Sequence, residues 1–224
     1  FEVAGSGTPG VPCTSLDLAS AYPYVLAHMP NTTKGYWVQR DSAELWWDWC
    51  EQRQPFEIGF AEAAVLFDPG MDWHPLVQKA PSGTLVGPRF IRGWFSAEEL
   101  VEARKWPHSQ FIIGEWIRWV EDDPTDRPFL PFVNRFYEMK MDSPKKSVAY
   151  AVAKCMANSA YGKTRQAVHD KAGALWNPLW AATITGATRA RLAELIRVND
   201  YTALSVATDG VIFRSSDLRQ IPNR

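Results

Sequence analysis

The stretch Ala203-Leu204-Ser205-Val206-Ala207-Thr208-Asp209-Gly210-Val211-Ile212-Phe213 decides the fold. Two short apolar runs, 203–207 and 211–213, flank Asp209-Gly210, a dipeptide that closes two-residue turns between antiparallel strands. The stretch therefore reads as a hairpin with a carboxylate at its tip. Just upstream, Asn177-Pro178 couples a side-chain cap to a proline in the first helical turn, which predicts a helix ending near Asn199. A helix backing an antiparallel sheet is an α+β arrangement.

Further back, Ser143-Pro144 repeats the same device and predicts a helix from Pro144 to about Tyr161, stopped by Gly162. Along it Lys146, Tyr150, Lys154, Asn158 and Tyr161 recur at steps of four, four, four and three, so they share one face. Val148, Ala151, Val152, Cys155 and Met156, on the opposite side, are apolar or small. A merely solvated face is filled by Glu and Lys; tyrosine and asparagine among lysines suit phosphate contact and base stacking. Near the start, Ser15-Leu16-Asp17-Leu18 reads as a strand running into the turn or helix start Ala19-Ser20-Ala21-Tyr22-Pro23. Alone, Asp17 caps a turn as readily as it offers its carboxylate, with the next carbonyl, to a hard cation. On a strand beside Asp209, the two carboxylates could bind two divalent ions about 3.5–4 Å apart, as phosphoryl transfer requires.

The middle differs in composition. Residues 30–130 hold nine of the eleven tryptophans, with recurrent Pro and Gly turns, and read as a separate α+β module. Within it Phe56, Ile58 and Phe60 alternate as a strand, Ser96-Ala97-Glu98-Glu99 is a capping box, and 111–120 is strand-like. Trp46, Trp47 and Trp49, partly at helical spacing, fit a core better than a stacking platform.

A chain of 224 residues that is 46% hydrophobic supplies an ordinary globular core. With a net charge of −1 there is no global basic field, so any nucleic-acid contact rests on local clusters. The three cysteines lack CxxC spacing and the four histidines lack HExxH or paired spacing, which favours reduced thiols and no zinc. No apolar run nears the roughly 20 residues that span a bilayer, and no signal peptide opens the chain, so a soluble cytoplasmic protein is expected, with no membrane partner. A first residue other than Met and an end without a closing element suggest a piece of a longer chain.

Taken together, Asp17-x-x-Ser20-x-Tyr22-Pro23, Lys154-x-x-x-Asn158-Ser159-x-Tyr161-Gly162 and Thr208-Asp209-Gly210 resemble motifs A, B and C of family B DNA polymerases. The insertion between A and B resembles the first terminal-protein region of the protein-primed branch found in phages and linear plasmids. Ala182-Thr183-Ile184-Thr185-Gly186-Ala187-Thr188-Arg189 resembles the palm helix preceding motif C in that branch. The resemblance implies a palm with an antiparallel sheet, helical fingers and an α+β insertion, divided as 1–29 palm, 30–130 insertion, 131–165 fingers and 166–224 palm. It implies template-directed nucleotidyl transfer from a dNTP to a 3′-hydroxyl, with two Mg²⁺ or Mn²⁺ ions. Asp17 and Asp209 would be the metal ligands, with the Leu18 carbonyl completing a site. Tyr22 would be the steric gate against a 2′-hydroxyl, Lys154 would hold the triphosphate, and Asn158 and Tyr161 would line the base-pair pocket. Lys145 and Lys146 would offer further phosphate contacts, without a matching family position. The implied partners are a DNA template-primer, dNTP and a terminal priming protein, in a viral or plasmid-encoded protein acting in the host cytoplasm.

The sequence departs from the family in three places. Ala207 stands where motif C usually has its first Asp, which removes one carboxylate. The segment from Lys163 to Asn177 is too short for the second terminal-protein region, so weak strand displacement and processivity are expected. Neither an exonuclease before motif A nor a thumb after motif C is recognisable, so proofreading and duplex grip are not expected of this segment. Two rival readings remain. One is a polymerase-like domain that has lost its chemistry and binds nucleic acid or protein. The other is a P-loop NTPase, because Ala157-Asn158-Ser159-Ala160-Tyr161-Gly162-Lys163-Thr164 meets a permissive pattern and Val206-Ala207-Thr208-Asp209 could pass as Walker B. A P-loop, however, needs a strand before it and several glycines within it.

Overall fold

The computed structural model describes residues 2–5, 12–71, 73–168 and 171–221. In chain order the elements begin with β1 (Glu2–Gly5), β2 (Cys13–Asp17), α1 (Ala21–His28), β3 (Gly35–Arg40), α2 (Ala43–Gln52), β4 (Gly59–Leu66), β5 (Gln78–Lys79), β6 (Leu85–Val86) and β7 (Phe90–Ser96). They continue with α3 (Ala97–Arg104), β8 (Gln110–Glu121), α4 (Leu130–Asp142), α5 (Val148–Thr164), β9 (Ala167–Val168), β10 (Lys171–Ala172), α6 (Pro178–Val198), β11 (Ala203–Ala207) and β12 (Gly210–Arg214). Helices and antiparallel sheets are thus mixed in the expected α+β manner.

One four-stranded sheet has the order β1-β2-β12-β11, all antiparallel. Leu16, Val211 and Phe213 point from it into a core shared with Leu192, Ala193, Leu195 and Ile196 of α6. The helix begins as expected, because Asn177 Oδ1 accepts the N–H groups of Leu179 and Trp180 at 3.2 and 3.1 Å. The hairpin turn, however, is Thr208-Asp209 rather than Asp209-Gly210: Ala207 pairs with Gly210, and Thr208 takes the left-handed conformation at φ 49°.

The other four-stranded sheet, ordered β3-β8-β4-β7, belongs to the tryptophan-rich stretch. Its strand begins at Gly59; Phe56 sits before it in a turn with φ 69°, so the predicted alternation starts three residues early. Ser42 caps α2, which buries Trp46 and Trp49 against this sheet, where Trp49 stacks on Trp116 with ring centroids 6.4 Å apart. The Trp116 indole N–H donates to the Ser42 carbonyl at 2.9 Å, fixing the helix start to the strand.

The Ser96–Glu99 capping box forms as read. It also makes the joint to α6. A Cβ on Gly186 would lie 2.9 Å from Glu99 Oε2, so α6 is glycine where the capping box packs against it. Arg189 then donates two hydrogen bonds to Glu99 Oε1, at 2.9 and 2.7 Å, and Arg197 donates to Glu102 at 2.8 Å.

The region before motif B corrects the sequence reading most. Ser143-Pro144 does not open a helix. It follows α4, and the Ser143 hydroxyl donates to the Met139 carbonyl at 2.7 Å. The next helix starts after Ser147, whose Oγ accepts the Tyr150 N–H at 3.1 Å, and it continues past Gly162 to Thr164. Lys145 and Lys146 therefore lie in the connecting turn, Lys146 with φ 75°, and Lys146 leaves the predicted stripe. The buried face of α5 is Ala153, Ala157, Ala160 and Thr164, while Val148, Val152, Cys155 and Met156 are exposed. Because 157–164 is helical throughout, a P-loop, which turns its backbone around phosphate, has no place there. Among the described residues, no helix is long and apolar enough to cross a membrane.

Candidate active site at the strand tips

Asp17 is the last residue of β2 and lies opposite Gly210, the first residue of β12. The Leu18 N–H donates to the Asp209 carbonyl at 2.8 Å, tying the end of one strand to the turn of the other. Two acids 192 positions apart in the chain thereby come to one end of the sheet, Asp17 opposite the residue that follows Asp209.

Ser20, at φ 53°, turns the chain from β2 into α1, and this places Tyr22 in the first helical turn, facing the hairpin. Its hydroxyl donates to the Thr208 carbonyl at 3.4 Å. Its ring stacks on Tyr161 from α5, with centroids 4.7 Å apart and planes 11° from parallel. Burial foremost, then the negative charge of Asp209, pushes the Tyr22 phenol up to about 12, against a smaller opposing effect of Arg189. Lys154 and Asn158 lie exposed on α5, about two turns and one turn before Tyr161, respectively. Of the residues singled out in the sequence, Leu18 bonds to Asp209, Tyr22 stacks on Tyr161 and bonds to the hairpin at Thr208, and Asp17 lies against Gly210, next to Asp209. Lys154 and Asn158 share the helix of Tyr161 and reach the region from its exposed face.

Two further cations border this region. Arg189 joins Tyr22, Tyr161, Arg165, Trp176 and Thr208 in lining a cavity of about 990 Å³. Lys140 Nζ donates to Ser20 Oγ at 3.4 Å and lies 5.8 Å from the centre of the Tyr150 ring. Neither role was legible, since both depend on helices α4 and α6 converging near Ser20 and Tyr22.

Among the described residues no group of three or more His, Cys, Asp and Glu gathers anywhere. Two carboxylates with one backbone carbonyl nevertheless suit Mg²⁺, which binds through one or two carboxylates and completes its shell with water and substrate phosphates. Gly210 adds a specific fit, because the space its missing side chain leaves is filled by the Asp17 carboxylate.

These features define a class. The sequence matches, over residues 6–176, the family described as DNA polymerase type B, organellar and viral, and the chain belongs to that family. No curated protein matches it in sequence. Among solved structures it is similar to phi29 DNA polymerase in an orthorhombic crystal form, with a TM-score of 0.66 and 13% identity over 93% of this chain and 39% of that one. It is also similar to phi29 DNA polymerase complexed with primer-template DNA and incoming nucleotide substrates, with a TM-score of 0.63, 14% identity and the same two coverages. For the complex with single-stranded DNA the TM-score is 0.63 and the identity 15%, over 93% of this chain and 38% of that one. At such identities the likeness is one of fold, and this chain spans about 39% of the length of those polymerases.

Proposed function

We propose that this chain is the catalytic core of a template-directed DNA polymerase, transferring a nucleotide from a dNTP to a primer 3′-hydroxyl. The observation that carries the proposal is the hydrogen bond from the Leu18 N–H to the Asp209 carbonyl, with Asp17 opposite Gly210, which sets two acids side by side. Asp17, Asp209 and the Leu18 carbonyl would hold two Mg²⁺ or Mn²⁺ ions, which supply charge neutralisation for attacking and leaving oxygens when bound. In the transfer, the 3′-oxygen bonds to the α-phosphorus, the bond to pyrophosphate breaks, and the hydroxyl proton passes to solvent. Tyr22 supports the sugar of the incoming nucleotide and crowds a 2′-hydroxyl. Lys154 meets the triphosphate as a mobile point charge. Asn158 and Tyr161 border the nascent base pair.

In this scheme 1–29 and 166–224 serve as palm, 131–165 as fingers and 30–130 as the insertion that meets a terminal priming protein. The setting would be the cytoplasm of a host carrying a virus or linear plasmid. The partners proposed for this chain are primer-template DNA and dNTP, in keeping with the phi29 polymerase structures complexed with them.

Primer extension by the native full-length protein with Mg²⁺ or Mn²⁺ tests this. Asp209→Ala should lower incorporation at least about 10³-fold, beyond the loss of a single transition-state donor. Incorporation unchanged in Asp209→Ala would overturn the two-acid mechanism. A second reading, a polymerase-like domain without chemistry, is favoured by Ala207, which pairs with Gly210 where a third acid would stand. Absence of metal-dependent incorporation by the unaltered protein would select it.

A further inference from the structure

Gly210 follows an acid in a hairpin, a place where glycine normally serves the turn. Here the turn does not need it. The left-handed conformation falls on Thr208, and Gly210 is a regular strand residue outside the glycines of positive φ. Its partners across β2 are paired in register, Gly210 with Asp17 and Val211 with Leu16. Conformation therefore gives no reason for glycine at 210, but space does. A Cβ built on it would overlap Asp17 Oδ1 outright and stand 3.4 Å from the carboxyl carbon and 3.5 Å from the Leu16 carbonyl oxygen.

Directly opposed residues of an antiparallel pair project from the same face, with their Cβ atoms about 4.5–5.5 Å apart, so ordinarily each side chain keeps the other upright. Without a Cβ at 210, the Asp17 side chain leans across the strand gap onto the Gly210 backbone, toward the residue that bears the second acid. Any side chain at 210 would push the carboxylate back over its own strand. The Leu18 N–H to Asp209 carbonyl bond holds the two backbones close, so the strands cannot separate to relieve the overlap.

We infer that Gly210 is a positioning residue: its missing side chain is the seat that brings the Asp17 carboxylate beside Asp209, and so sets the affinity of the pair for divalent cations. This rests on the two-acid reading above.

The test uses the native full-length protein, with Gly210→Ala, Asp17→Ala and the double variant. Mn²⁺ titration of the DNA-free protein, followed by electron paramagnetic resonance, should show Gly210→Ala weakening binding about 10–100-fold, the usual range when a supporting partner of a ligand is lost. Metal-free urea unfolding supplies the second measurement. In the Asp17→Ala background, where nothing occupies the seat, Gly210→Ala should raise the unfolding midpoint by relieving glycine's backbone entropy; in the presence of Asp17 that gain should be lost or reversed. The same shift in both backgrounds, or unchanged Mn²⁺ affinity in Gly210→Ala, would overturn the assignment. If Asp17→Ala itself leaves Mn²⁺ binding and primer extension intact, the two-acid reading fails and takes the assignment with it.

Discussion

The sheet built around Trp46, Trp49 and Trp116 and the sheet ending in Asp17 and Asp209 have the same number of strands and the same antiparallel pairing, yet they are held in different ways. The first stacks large aromatic rings between α2 and its strands and adds an indole hydrogen bond to a helix cap. Among the described residues the second buries Leu16, Val211 and Phe213 fully in the core it shares with α6, and the join at its tip includes one backbone hydrogen bond and one missing side chain. Bulk burial, being nondirectional, makes a support. Placing two carboxylates requires directional contacts of small energy.

If that contrast is right, the tryptophan sheet should be the costlier one to wound. Trp46 is fully buried, and Trp46→Ala should destabilise by about 3–5 kcal/mol, the range for large aromatic truncations in cores. Chemical denaturation checks it, and Mn²⁺ binding at the strand tips should persist in the folded fraction. A loss under about 1 kcal/mol, typical of a surface change, would erase the distinction between the two sheets.

A subtler effect belongs to the other sheet. Tyr22→Val removes the ring stacked on Tyr161 and should raise ribonucleotide incorporation relative to deoxyribonucleotide by about 10–200-fold, the scale on which an apolar wall discriminates. Competitive incorporation assays would read it. Unchanged sugar selection would detach Tyr22 from the proposed nucleotide pocket while leaving the acids in place.

The smallest expected effect is on pH dependence. The folded protein holds the Tyr22 proton up to about 12, above the ordinary phenol value of 10.0. An acid whose folded value is raised favours folding while it stays protonated. Its contribution is therefore present below pH 10 and is lost as pH rises towards 12. Tyr22→Phe should flatten that part of the stability curve, measured by denaturation at successive pH values.

What could be read from the residues alone divides along the same line. Asn177-Pro178 and Ser96-Glu99 are local devices, complete within four residues, and they act as their chemistry dictates. Ser143-Pro144 is ambiguous by the same logic, because proline follows helix ends as well as opening helices. The preceding helix α4 shows only one buried residue, Val133, so no strong apolar periodicity announced it. The acids were legible as a pair through the motifs. The seat at Gly210 was not, because its purpose is set by a residue on a strand from the far end of the sequence. Arg189 and its hold on Glu99 were hidden for the same reason.

The hydrogen bond between Leu18 and Asp209 also orders events on the ribosome. At about 5–20 residues per second, the second acid is synthesised roughly 10–40 s after the first. For that interval β2 is an open sheet edge on the side that β12 will later occupy, a template for unwanted pairing with other nascent chains. All of the tryptophan sheet has emerged by then, so a translation product arrested before β12 carries its bulky support and lacks the strand that faces Asp17.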